Sequence, residues 1–225
     1  MRTQKGFTLV ELLVVIAIIG LLISLLIPAL GHARDQAKAV ACLSNLRQLG
    51  MAMKMYAEEY EDQVPRDADH VNWILVFRPY LGWSARVEDY QELEVYNCPK
   101  YPLMEQTVDY VINAWTFADR NKREGEEAGG ATKLSVFERP DSTIYLADSE
   151  DGAWRPILRN ADDLRSGAAD SLDIYRTSHL PSAPDGVRRV ARERHREGCN
   201  CLYVDGHVDY MRAKDITEQM WRDKF

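Results

Sequence analysis

Residues 6–30, GFTLVELLVVIAIIGLLISLLIPAL, form one apolar run long enough to cross a bilayer, and any fold for this chain has to accommodate it. A short leader carrying Arg2 and Lys5 precedes the run and ends at Gly6. One carboxylate, Glu11, lies inside it. A charge at membrane depth costs roughly 2.5–3.5 kcal/mol on insertion scales, so it calls for a partner. An amine at Phe7, created by cutting after Gly6, would supply one. A secretory signal has an apolar core of about 7–15 residues followed by a small-residue cleavage site. This run is longer, and its one such candidate, residues 31–33, falls within a continuing helical pattern. A plain membrane anchor accounts for the length but gives no reason for Glu11 or for the glycine at position 6. Arg2 and Lys5 keep the extreme N-terminus cytoplasmic, which exports everything after residue 30.

MRTQKG followed by FTLVELLVVIAIIGLLISLLIP resembles the class III signal of type IV pilins and type II secretion pseudopilins. The resemblance implies that a membrane prepilin peptidase cuts between Gly6 and Phe7 and methylates the new amine. It also implies that Glu11 registers each subunit against a neighbour's N-terminus as a filament assembles. Leader, glycine, Phe7, Glu11 and Pro28 all stand at the spacing of that signal.

Past Pro28 the helical pattern continues, with apolar residues at Ala33, Ala37, Val40, Ala41, Leu46, Met53, Tyr56 and Tyr60 mostly three or four apart. A helix from Phe7 to about Glu61 would be on the order of 80 Å long. Pro28 removes a donor to the Ser24 carbonyl and should kink or loosen the helix. That is either a segment able to melt on leaving the membrane or a tolerated kink between two helical parts. The acidic cluster Glu58, Glu59, Glu61 and Asp62, with Pro65 after it, ends the helix. The organisation expected is a leader (1–6), a transmembrane and assembly helix (7–30), its soluble continuation (31–62) and a head (63–225).

The exported part is enough for one core and hardly two. A net charge of −7 argues against a general nucleic-acid surface. The one dense basic stretch, Arg188 to Arg196, is interrupted by Glu193 and reads as a solvated face. In the head, HVNWILVFRPYLG reads as a short helix or strand, LEVYNCP as a strand or extended turn, and TIYLAD (143–148) as a strand. NKREGEEAGGA (121–131) reads as a surface loop. Asp205-Gly206 between alternating runs signals a two-residue hairpin turn of type I′. That turn pairs Tyr203 with Val208 and Cys201 with Tyr210, and would lay those four against the long helix. The fold class expected is α+β, a long N-terminal helix on a small antiparallel sheet.

His195, nine intervening residues and then Asp205-Gly206 is similar to the signature of a subset of pilin-like proteins abundant in planctomycetes. Residues 41–60, YNCPK (96–100) and YLADSE (145–150) resemble the same subset. Cys199-Asn200-Cys201 departs from it. Four cysteines in an exported domain invite disulfides. Bridging Cys42 to Cys98 would pin the head to the helix and contribute up to about 4 kcal/mol in the chain-entropy model. Cys199 and Cys201, alternate residues of one strand, stand too far apart for an unstrained bridge, although either is an alternative partner for the other two. A metal set of Cys199, Cys201, His195 and His207 has neither zinc-knuckle spacing nor a common face.

Catalysis finds little support. Ser149 or Ser178 with His179 or His195 lacks a nucleophile elbow, and His195 reads as a structural hydrogen-bonder before the hairpin. Major pseudopilins carry a calcium loop, which the resemblance does not place on particular residues here. Asp148 and Asp205 are the weak candidates, and no other cofactor is expected. The function expected is a non-enzymatic filament subunit at the bacterial inner membrane with a periplasmic head. Its expected partners are the prepilin peptidase, other pilin or pseudopilin subunits, an inner-membrane assembly platform and the membrane itself. The alternative is a monomeric anchored binding module, for carbohydrate for example, using exposed Trp73, Trp83, Trp115 or Trp154.

Overall fold

The structure is a computed structural model and describes residues 9–67, 72–82, 93–102, 105–118, 125–151, 163, 172–184 and 186–224. A single helix, α1 (Leu9–Glu59), accounts for the N-terminal quarter. Pro28 lies inside it, and Ser24 Oγ donates to the Leu21 carbonyl at 2.7 Å one turn earlier. The chain divides into two compact units, 1–37 and 38–225. In the first, every described residue from 9 to 37 is exposed, including Leu9, Leu21 and Leu25. Among the described residues this is the one helix long and apolar enough to cross a membrane.

The second unit is the head. Here α1 turns one stripe inward: Cys42, Leu46, Leu49, Met53 and Tyr56 are buried at steps of three or four. The helix ends without a glycine. Glu61 and Asp62 take left-handed φ values of 53° and 63°, and Asp62 N–H donates back to the Ala57 carbonyl at 2.9 Å. β1 (Gln63–Pro65) follows, then a one-turn helix α2 (Trp73–Val76) capped by the Asn72 side chain, and a 3-10 turn at Arg78–Leu81. The LEVYNCP segment is a 3-10 turn at Glu94–Tyr96 rather than a strand.

β2 (Tyr110–Asn113), β6 (Ile144–Asp148), β7 (Asp173–Ile174), β8 (Gly198–Tyr203) and β9 (Val208–Arg212) form the main sheet in the order β7-β2-β6-β8-β9. All its pairs are antiparallel except β2–β7. Two small ribbons accompany it: β1 with β5 (Ala131–Lys133), and β3 (Trp115–Thr116) with β4 (Glu126–Glu127). Part of the segment expected to be a loop, Glu126-Glu127, is therefore paired, because the Trp115-Thr116 edge offers it backbone partners.

The main sheet is covered on both faces. One face carries Tyr110, Ile112, Leu146, Leu202 and Val204 against the α1 stripe. The other carries Val111, Ala147, Cys199, Cys201 and Tyr203 against Trp221 and Val190. This reverses the expected facing of β8, while Val208 of β9 packs on the helix side as expected. Asp205 does not take positive φ; Gly206 alone does, at 88°. Gly206 N–H donates to the Tyr203 carbonyl and Tyr203 N–H to the His207 carbonyl, both at 2.9 Å. The turn is therefore a type I turn closed by a glycine bulge, one residue longer than the expected loop. The register moves by one, so Leu202 faces Val208 and Cys201 faces Asp209. A one-residue slip exchanges faces, and Leu202 and Val204, not Cys201 and Tyr203, meet the helix. Close approach decides it: a Cβ on Gly50 would lie 2.7 Å from Leu202 Cδ1.

The basic stretch is also corrected. Arg188, Arg189 and Arg194 are buried, not solvated. Arg188 Nε pairs with Glu150, Arg189 Nη1 donates to the Asp173 carbonyl at 2.7 Å, and Arg194 Nη2 donates to the Ser149 carbonyl at 2.8 Å. Arg188 and Arg194 strap the segment before β8 onto the end of β6 and Arg189 straps it onto β7, where buried backbone needs donors that ladder bonding does not supply.

Candidate functional site

Two places in the molecule carry chemistry. The first is the N-terminal segment. Gly6 and Phe7, the expected processing site, lie outside the described residues. Glu11 lies near the start of α1, exposed among exposed Val10, Leu12 and Val14. An apolar helical surface of this extent is not tolerated in water by an isolated subunit and marks a membrane or assembly surface.

The second is inside the head, where four segments distant in sequence converge. Cys42 comes from the buried stripe of α1, Cys98 from the turn after the 3-10 segment, Asp148 from the end of β6, and His195 from the loop before β8. Their ligand atoms lie within 4.8 Å of one another, and all four side chains are buried. Cys42 Sγ donates to Asp148 Oδ1 at 3.0 Å. His195 Nε2 stands 3.3 Å from Cys98 Sγ and 3.4 Å from Asp148 Oδ2. A second layer fixes these groups: Asn200 N–H donates to Asp148 Oδ2 at 2.7 Å, Cys98 N–H to Asp109 Oδ2 at 2.9 Å, and the Tyr110 hydroxyl to Cys42 Sγ at 3.5 Å.

Local sequence explains each placement. β6 brings Asp148 in at its C-terminal end, and the adjacent β8 offers the Asn200 amide at the matching height. His195 is held by a tight turn in which its N–H and carbonyl both bond to Gly198, with Arg196 at φ 59°. The expected structural role of His195 in shaping the entry to the hairpin is therefore present in its backbone, while its ring enters the cluster.

Burial pushes the Asp148 carboxyl up to about 7, the Cys98 sulfur adding to the effect and His195 opposing it. The hydrogen bond from Cys42 holds the Cys98 thiol well below its ordinary range despite burial, with His195 helping. Burial, and then that same contact, push Cys42 up.

The expected pairing partners Cys42 and Cys98 are brought together in the cluster. Both are free thiols, each engaged with Asp148 or His195 rather than bonded to the other. Cys199 and Cys201 are also free and share the opposite face of the sheet, with sulfurs 3.9 Å apart. That separates them from His195, so the Cys199–Cys201–His195–His207 set is not assembled. Nor do the two calcium candidates combine. Asp148 has thiol and imidazole neighbours instead of an oxygen shell. Asp205 sits at the hairpin turn, where its Oδ1 contacts His207 Nδ1 at 2.5 Å. Sequence reasoning paired Cys42 with Cys98 and named Asp148 and His195 separately, without joining the four. Each adjacent pair is separated by dozens of residues, so no local spacing announces the set. Of the tryptophans proposed for sugar stacking, Trp73 and Trp115 are core residues, and Trp83 and Trp154 lie outside the described residues.

Residues 1–27 match the family model of the prokaryotic N-terminal methylation motif. The chain is 38% identical over 55 residues to the type II secretion system core protein G of Pseudomonas aeruginosa, covering 24% of this chain and 39% of that protein. It is 46% identical over 56 residues to the type IV wide pilus major component PilA4 of Thermus thermophilus, covering 25% and 43%. Core protein G of Escherichia coli matches at 43% over 53 residues, covering 24% and 37%. The chain spans about two fifths of the length of the curated relatives it matches. No solved structure matches. The chain is similar to these pilins and pseudopilins in its N-terminal quarter.

Proposed function

We propose that this protein is a structural subunit of a type IV pilus-like or type II secretion pseudopilus filament. The observation that carries the reading is the conjunction in α1: an N-terminal methylation motif opens a helix whose apolar residues 9–30 are all exposed, and whose later part anchors a packed head. Prepilin peptidase cleaves after Gly6, and the Phe7 amine is methylated. The subunit waits in the inner membrane with its head on the far side. Extraction into a filament exchanges lipid for neighbouring helices, whose apolar side chains bury the same surface. Glu11 then neutralises the Phe7 amine, which is a strong interaction in a low-dielectric filament core and sets the axial register.

Mass spectrometry of the membrane-extracted protein tests the first step: the chain is expected to start at N-methylated Phe7. An intact Met1, or a start at Arg34, would overturn the filament reading. Glu11→Ala is expected to abolish incorporation into filaments while leaving the head's circular dichroism and melting unchanged. Normal incorporation of that variant would remove Glu11 from the mechanism.

A further inference from the structure

We propose that Cys42, Cys98, Asp148 and His195 form a structural zinc site that clamps the buried part of α1 to the head sheet. The inference does not rest on filament assembly, since all four residues belong to the head unit.

Three observations support it. The first is the donor set. Two thiols, one imidazole and one carboxylate are the ligands that zinc takes in tetrahedral sites, and four protein ligands leave no open position, as in structural rather than catalytic centres. Thiols also make the set a poor one for calcium or magnesium. The second is the geometry. With zinc bonds of about 2.0–2.3 Å, tetrahedral ligand atoms stand about 3.3–3.8 Å apart. The cluster already shows 3.3 Å between Cys98 Sγ and His195 Nε2, and 3.4 Å between His195 Nε2 and Asp148 Oδ2. Cys42 Sγ and Asp148 Oδ1 are at 3.0 Å and separate by a few tenths of an ångström once the thiol proton between them is gone. The third is the burial. A carboxyl with no exposed surface faces two sulfurs and an imidazole and has no Arg or Lys ion pair among the described residues, unlike buried Asp223, which has Arg66 at 3.8 Å. A divalent cation supplies that charge.

Binding is a ligand exchange with no redox step. Zn2+ takes both sulfurs as thiolates and Asp148 as the carboxylate, any protons still held on Cys42, Cys98 or Asp148 passing to solvent, and forms two Zn–S bonds, one Zn–N bond to His195 Nε2 and one Zn–O bond to Asp148. The outer layer is partly in place: the Tyr110 hydroxyl donates to the Cys42 sulfur, and Asn200 N–H donates to Asp148 Oδ2. His195 Nδ1 is buried and has no hydrogen-bond partner, so packing and the Gly198 turn, rather than an outer acceptor, orient the ring.

The test uses the full chain, extracted in detergent under reducing conditions and desalted. Elemental analysis is expected to find about one zinc per chain, removed only by strong chelator or after thiol modification. Replacing zinc with Co2+ is expected to give the intense thiolate-to-cobalt charge-transfer absorption of a tetrahedral site. His195→Ala and Cys98→Ser are expected to lose the metal at least tenfold, while Cys201→Ser, on the other sheet face, retains it. Because ligand variants can fail to fold, the cobalt spectrum and stoichiometry of the unaltered chain decide independently. Absence of both zinc and cobalt binding in that chain overturns the proposal. So does a Cys42–Cys98 disulfide in intact-mass and alkylation analysis of protein purified without reductant, or undiminished zinc in folded His195→Ala.

Discussion

The two parts of α1 are built from one helix and meet opposite surroundings. From Leu9 to Leu30 the surface is almost wholly apolar and exposed; from Lys38 to Glu59 it is amphipathic, with one buried stripe. A helix apolar all round belongs in lipid or inside an assembly, and one with a stripe belongs on a globular core. The lesson is that a single secondary-structure element here carries two separable jobs. Damage to one part should be invisible in the other.

Substitutions can break that separation or sharpen it. The largest effect expected is at Leu46, wholly buried in the helix-facing core: Leu46→Ala should cost the head about 2–5 kcal/mol in denaturant unfolding. Gly50→Ala should cost about 1–3 kcal/mol, because the new methyl meets Leu202 Cδ1 at 2.7 Å and the Gly206 carbonyl at 3.3 Å. Its partial relief by Leu202→Val would place the clash where the structure has it.

A pH effect should also stay within the head. Burial, then Arg189 and Arg176, lower His179 to about 3, and Arg176 Nε donates to its Nε2 at 2.8 Å. The folded value lies below the unfolded value of about 6.5, so the unfolded chain takes up the proton first. Stability is unaffected above about pH 6.5 and falls as the pH drops toward the folded value, by about 1–2 kcal/mol between pH 7 and 5. His179→Gln should flatten that slope in parallel urea titrations. The smallest effect expected is at Leu22, exposed in the apolar part. Leu22→Ala should shift head stability by less than about 0.5 kcal/mol. A comparable loss there to that of Leu46→Ala would end the division between the two parts.

Legibility in the sequence followed the same division. The apolar run and the stripe of α1 could be read from periodicity, because burial of a helix face is a local pattern. The strand at 144–148 was readable for its β-branched and aromatic content. The β8–β9 hairpin existed where Asp205-Gly206 placed it, and Val208 faced the helix side as expected, yet the facing of β8 was reversed. The bulge moves the register by one residue, and the close approach of Gly50 to Leu202 on the helix side is a tertiary fact that no dipeptide records. Charge density misled at Arg188 to Arg194, since buried irregular backbone near β6 consumed donors that composition assigns to solvent. In the cluster, the Cys42–Cys98 approach was foreseen. Asp148 and His195 were not joined to it, because only strand pairing brings them there.

That cluster has a consequence for how the head comes into being. Cys42 and Asp148 are 106 residues apart and Cys98 and His195 are 97 apart, so the four groups draw on nearly the whole span of the head. Contacts of such separation are made late, after the loops between them have paid their closure entropy. A chain still emerging, truncated before β8 or missing one layer has no such constellation to offer. The cluster is thus a completion mark, present only on a head that has finished folding.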